Sequence, residues 1–306
     1  MKVHEVTACP VCGAEQSREV RISPEHSVRR CAVCNAAYSP SYADPGDIYV
    51  DDYLLGKGRQ ESPFGIHFDM LHPRFQEYLS RVGRLRMEAI ERVLPERGSF
   101  LDVGCGTGEV LIAARKRGWT VTGVEPIAKE AAFARDERGL DVRTALLEES
   151  GLPERRSFNA VGAFHVLEHI AQPTGFLASI ARWARPGGYV AIEVPNFDSR
   201  LRKRSEKFGG WRHLRPLEHI THFTPATLRD AFTRAGLEPI AVGSPSYAGP
   251  PQTLDEALDD LVRARWRPGL AILPKPLAWR AVRAFDRHDD RRDAGMVVFG
   301  VARVRG

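Results

Sequence analysis

The stretch Phe100-Leu101-Asp102-Val103-Gly104-Cys105-Gly106-Thr107-Gly108-Glu109 constrains this chain more than any other. A short apolar run ends in a loop with glycine at every second position, and an amphipathic run from Val110 to Arg115 follows at once. That order predicts strand, tight turn and helix. Glycines at 104, 106 and 108 remove side chains that would hold a ligand off the backbone. The first turn of the helix has N–H groups with no internal partner, so it can receive one. Asp102 stands where a carboxylate takes loop amides or grips a cationic ligand group. The same turn also serves a strand–helix connection that binds nothing.

A second strand, Thr120–Val124, ends in Glu125, seventeen positions after Gly108. In doubly wound sheets an acid at that place accepts hydrogen bonds from ribose hydroxyls. A ribose-bearing ligand is therefore expected. The loop reads G-x-G-x-G rather than G-x-G-x-x-G, and nothing in it is specific for a pyrophosphate.

The segment Leu101–Gly108 resembles the first motif of the class I methyltransferases that use S-adenosylmethionine. Glu125 matches their ribose-binding acid. Ser157–Ile170 matches their fourth strand and the Leu-Glu-His element after it, and Arg185-Pro186-Gly187-Gly188 matches the turn before the fifth strand. The resemblance spans about residues 80–245 and the last ten, and bears on the cofactor more than on the acceptor. It implies a Rossmann-like, doubly wound α/β fold with a seven-stranded, mostly parallel sheet. It also implies a donor site formed by Asp102, Gly104, Cys105, Gly106, Gly108, Glu125, Pro126, Leu146, Leu147, Phe164 and His165. In that site the loop at 145–149 borders the adenine.

Upstream, Cys9-x2-Cys12 and Cys31-x2-Cys34 are two knuckles with eighteen residues between them. That spacing fits a four-thiolate structural zinc site. Gly13 and Asn35 follow the second cysteine of each pair, and both tolerate the positive φ that curls amides towards sulfur. Disulfides are the competing reading, disfavoured in a reducing compartment. Too few apolar residues lie here for an independent core, so metal would supply much of the folding energy. The domains read as a zinc ribbon at 1–40, a Pro-, Gly- and aromatic-rich linker at 41–75, and a main domain at 76–306. A helical insertion at 245–293 would serve as a lid or dimer contact, so a homodimer is an open expectation.

The net charge is +5, with Lys and Arg interleaved among Asp and Glu. That reads as a solvated surface more than a nucleic-acid footprint. The start lacks a signal peptide's apolar core, and no run is long enough to cross a bilayer, so a cytoplasmic enzyme is expected. A basic segment at 200–213 either attracts an anionic substrate or is simply solvated.

Strand Ala160–Phe164 ends at His165, and a strand Tyr189–Val194 follows a helix at 174–184. Thr224 and Pro225 read as the N-cap and first position of a later helix. A closing strand near 295–302 runs antiparallel in the resembled family. If a methyl is transferred to a hydroxyl or amine, a base is needed, and His165, His222 and His219 are the candidates, in that order. His169 reads as a structural hydrogen-bonding residue.

Residues His165, Glu168 and His169, with His219 or His222, also offer a divalent-metal set. Some RNA-end and quinone-precursor methyltransferases use a related Glu-x-x-Glu-His arrangement, from which His165 departs. The expected acceptor is a small molecule, at oxygen, of the natural-product or sugar-containing kind served by similar ribbon-bearing chains. RNA or protein methylation docked on the ribbon, and a non-catalytic binding module, are the alternatives.

Overall fold

The computed structural model describes residues 2–23, 26–48, 73–152, 157–205, 214–246 and 291–305. Most of the stretch read as a linker, the basic segment beyond 205 and nearly all of the 245–293 insertion lie outside the described residues.

The ribbon is built from β1 (Val3–Glu5), β2 (Ser17–Arg21), β3 (Ser27–Cys31), β4 (Ala37–Tyr38) and β5 (Ser41–Ala43), followed by one short helical turn, α1 (Pro45–Ile48). Strand β5 falls in the stretch read as a linker and pairs antiparallel with β1. Gly13 and Asn35 adopt φ of 75° and 63°, as the knuckles require.

A long helix, α2 (Pro73–Glu91), leads into the alternating units. These are β6 (Ser99–Val103), α3 (Glu109–Lys116), β7 (Thr120–Val124), α4 (Ala128–Ala132), β8 (Val142–Arg143), β9 (Phe158–Phe164), α5 (Pro173–Ala181) and β10 (Ala184–Pro195). Then come α6 (Arg200–Ser205), β11 (Thr221–His222), α7 (Pro225–Arg234), β12 (Glu238–Gly243) and β13 (Val297–Arg303). The main sheet has the order β12-β13-β10-β9-β6-β7-β8. Strand β13 is antiparallel to both neighbours, and the pairs among β10, β9, β6, β7 and β8 are parallel. The seven-stranded, mostly parallel sheet that the resemblance implies is therefore present.

Alternation along β6 sorts the core into two layers, because neighbouring side chains leave opposite faces of a sheet. Phe100 packs with Met87 and Ile90 of α2, Leu111 of α3 and Ala131 of α4. Leu101 and Val103 belong to the other layer, with Leu177 and Ile180 of α5 and Leu228 and Phe232 of α7. Cys9, Val11, Cys31 and Tyr38 join that second layer. The ribbon, short of apolar residues, thus shares the main domain's core instead of having its own.

Helix α4 ends at Ala132, and a wider, π-helical turn over Phe133–Glu137 follows it. Across that turn Arg138 reaches the Thr107 carbonyl at 2.6 Å and Glu109 at 2.7 Å. The Leu-Glu-His element is one 3₁₀ turn, Leu167–His169, separate from α5. Pro173 sets the first turn of α5, where its missing N–H costs nothing. The start of α7 matches expectation, with Thr224 and Thr227 exchanging capping hydrogen bonds.

Candidate functional site

The carboxyl ends of β6 and β7 meet at the glycine turn. Gly104 and Cys105 donate their N–H groups to the Val124 carbonyl at 2.8 and 3.2 Å. Glu125 is 4% exposed, and its carboxylate accepts the Gly106 N–H at 2.8 Å and the Ile127 N–H at 3.0 Å. Burial raises its pKa, and those two amides oppose the rise. Gly108 caps α3 at φ 87°, and Leu140 fills the space a side chain would need. That glycine is required by conformation and packing.

Asp102 is 2% exposed, and its Oδ1 has no hydrogen-bond partner among the described residues. Burial pushes its pKa up to about 8, against the pull of Arg86 and with Glu125 and Glu109 adding to the rise. A buried carboxylate without a partner is costly, and a cationic or donating ligand group beside it removes that cost. The residues at this end therefore fit a positively charged, ribose-bearing ligand. Pro126 is exposed, Cys105 is buried in the turn, Leu147 is buried and Leu146 is 55% exposed on the rim.

The neighbouring strand ends, of β9 and β10, carry a different arrangement. His165 follows β9 at φ 59°, an uncommon place for a side chain with a Cβ. Its Nδ1 lies 3.2 Å from Glu168 Oε1 and its Nε2 lies 3.2 Å from Glu193 Oε1. Glu193, fully buried in β10, also takes the Arg86 guanidinium from α2. That guanidinium stacks on the Phe164 ring at 4.9 Å. Burial alone would lower the His165 pKa, but the Glu168 and Glu193 carboxylates outweigh it and hold the ring at about 9. Burial would raise Glu193, yet Arg86 and His165 hold it at about 2. With a carboxylate at each nitrogen, the ring is an imidazolium donating twice.

His219 and His222 stand on the segment that enters α7, 5% and 3% exposed. Burial, aided by the Arg202 charge, lowers His222 to about 3. His165 and His169 both approach Glu168 Oε1, at 3.2 and 3.9 Å, but His165 is not in the group whose ligand atoms converge. Instead the ligand atoms of Glu168, His169 and His219 lie within 4.8 Å of one another. Of the two histidines the sequence offered to complete a set with Glu168 and His169, it is His219 whose ligand atom joins them. The His169 Nδ1 lies 3.1 Å from the Glu218 carbonyl and donates to it, which leaves Nε2 facing Glu168. Burial lowers the His169 pKa, keeping the ring neutral.

All five cysteines are free thiols, and Cys9, Cys12, Cys31 and Cys34 come together within 4.8 Å. The Cys9–Cys34 and Cys12–Cys31 sulfur separations are 3.5 Å. A tetrahedral zinc ion about 2.3 Å from each thiolate needs sulfurs roughly 3.8 Å apart, so the four residues fit it. The Val33 N–H points at Cys31 Sγ, 3.4 Å away.

Sequence reasoning missed Arg86, Glu193 and Ser39. Arg86 is one of several arginines on a helix with an apolar stripe, Glu193 sits inside a strand, and Ser39 follows a two-residue strand. None carried a local signal.

The chain matches the methyltransferase domain family over residues 70–242. It is 29% identical over 186 residues to the ubiquinone biosynthesis O-methyltransferase of Bordetella avium, covering 55% of this chain and 75% of that protein. To the mitochondrial ubiquinone biosynthesis O-methyltransferase of Arabidopsis thaliana it is 33% identical over 103 residues, 32% of either chain. The chain thus spans about a third of the length of the Arabidopsis relative. One chain of the complex between the Haloferax volcanii Trm112 methyltransferase activator and a methyltransferase superposes with TM-score 0.52 at 17% identity. That match covers 82% of this chain and 100% of the other, and at such identity it shows the fold alone. No described helix is long and apolar enough to cross a membrane.

Proposed function

The chain belongs to the methyltransferase domain family, and on that premise we propose that it methylates an oxygen of a small-molecule acceptor with S-adenosylmethionine as donor. The observation that carries this reading is the pairing of a buried, partnerless Asp102 oxygen with Glu125 around one glycine turn. When bound, the donor supplies an electrophilic methyl on a positively charged sulfur. Glu125 keeps lone pairs for ribose hydroxyls, and Asp102 answers positive charge. Leu147 and the exposed Leu146 offer the adenine an apolar edge. Oxygen as the accepting atom is carried over from the printed names of the relatives. A natural-product or sugar-containing intermediate is the acceptor class we favour.

Among the candidate bases, His165 is engaged at both nitrogens and His222 is held at about 3, so we assign His165 to placing charge and proton removal to His219. We also read the four cysteines as a structural zinc site and, because such thiolates must stay reduced, the compartment as cytoplasmic. About one zinc per chain, lost on Cys9→Ser, is the expected metal analysis.

Calorimetric titration with S-adenosylmethionine tests the central claim. Wild-type protein should bind, and Glu125→Ala should bind on the order of 100-fold more weakly, about 2.7 kcal/mol. No heat with wild type and no effect of the substitution would overturn it. Methyl-labelled donor, offered with panels of hydroxylated small molecules, RNA and peptides, then reports which class takes the label.

A second reading adds a divalent cation at Glu168, His169 and His219. It is favoured by their convergence and by Glu168 Oε2, which has no partner among the described residues. Such an ion would act as a Lewis acid on an acceptor hydroxyl. Titration with Mn²⁺ followed by electron paramagnetic resonance should show one site that His219→Ala removes. An unchanged signal would discard this reading.

A further inference from the structure

The candidate site and the ribbon share a sheet. Strand β11 pairs antiparallel with β4, Thr221 opposite Tyr38 and His222 opposite Ala37. The strand that carries His222 is therefore an edge of the four-stranded sheet that also holds β3, whose last residue is Cys31. Five residues beyond Cys34 stands Ser39, 4% exposed. Its N–H donates to the Ile220 carbonyl at 2.9 Å, and its hydroxyl donates to the His219 carbonyl at 2.7 Å. That hydroxyl also lies 3.2 Å from His222 Nε2. Its one proton is used on His219, so His222 donates from Nε2, which fixes that ring's tautomer. Next to this, the Ile220 N–H donates to the Glu168 carbonyl at 2.7 Å, linking the segment to the turn that holds Glu168 and His169.

The glycine turn is held differently. Gly104, Cys105 and Gly106 are bonded to Val124 and Glu125, within their own strand–turn–strand unit. The ribbon, in contrast, has two short knuckles and little core of its own, so a metal at the four sulfurs would fix it.

We propose that the metal-loaded ribbon sets the geometry of the 219–222 wall of the site, with Ser39 as the positioning residue that transmits it. What the wall is for rests on the methyltransferase reading, while how it is held rests on the contacts above.

Hydrogen exchange on the full chain, as purified and after zinc chelation, tests the coupling. Chelation should speed exchange at least about tenfold over 27–43 and 217–224, and to a lesser degree over 165–170. Exchange over 99–125 should stay the same, and the heat of S-adenosylmethionine binding should persist. Unchanged protection of 217–224 in metal-free protein overturns the proposal. Loss of protection everywhere overturns it as well, because the ribbon would then support the whole fold and not one wall.

Ser39→Ala, with zinc content measured as unchanged, should speed exchange over 219–222 and move the ¹⁵N ring signals of His222. Ser39→Thr should restore both. Wild-type signals in Ser39→Ala would remove Ser39 from the role. A wild-type protein that binds no donor would sink the methyltransferase reading and leave this exchange result standing.

Discussion

The two halves of the sheet's carboxyl edge treat buried charge in opposite ways. At the end of β6, Asp102 is buried without a partner for one oxygen, and burial pushes it up to about 8. In β10, Glu193 is buried at least as deeply, yet Arg86 and His165 hold it at about 2. In the first half the described residues offer one carboxyl oxygen no partner. The second is a closed set in which the protein supplies its own cations. The contrast separates a carboxyl left without a partner for one oxygen from one that the protein neutralises itself.

The largest test of that contrast is Glu193→Ala. Removing one partner of a buried ion pair takes the carboxylate shared by Arg86 and His165 away and should cost about 3–5 kcal/mol, read as a lower denaturation midpoint. Because the folded pKa is depressed, the Glu193 contribution is present above the ordinary carboxylate range and is lost as the pH falls towards 2. A substitution that costs less than about 1 kcal/mol would mean the pair is not closed.

Asp102→Asn should act in the opposite direction. The raised pKa means the unliganded protein loses stability as the pH rises from about 4 through 8. The amide removes that loss and should stabilise the free protein above pH 8, a gain that shrinks as the pH falls and vanishes near pH 4. The same variant should bind S-adenosylmethionine more weakly. A protein made both less stable and unchanged in binding would put Asp102 with Glu193 instead.

These two carboxylates also mark how far the sequence could be read. Asp102 and Glu125 stand beside glycines whose spacing is local, so contiguous residues announced the turn, its strand and its acid. The Cys-x2-Cys knuckles were legible for the same reason, since a metal site built on tight turns needs its ligands close in the chain. Glu193 and Arg86 are 107 positions apart, and Ser39 meets His222 across 183. Such sites are assembled by sheet order and helix packing, and a one-dimensional pattern does not encode which distant residue arrives. The same limit hid the ribbon's union with β11, because a two-residue strand has no periodicity to detect.

The smallest effect concerns His165, and it separates charge placement from proton removal. The ring lies between Glu168 and Glu193 and titrates near 9, above its ordinary 6.5. A raised histidine pKa contributes stability that is complete below about 6.5 and is lost as the pH rises through 9. The side chain is 37% exposed, so solvent screens the pairs and the contribution should stay under about 1 kcal/mol. The stability gap between wild type and His165→Gln should therefore be widest near pH 6 and close by pH 10. Direct titration of the ring by nuclear magnetic resonance should give a midpoint near 9. A midpoint below 7 would make the ring neutral at working pH, return His165 to the general-base role, and leave Glu168 and Glu193 with less compensating charge than the closed set requires.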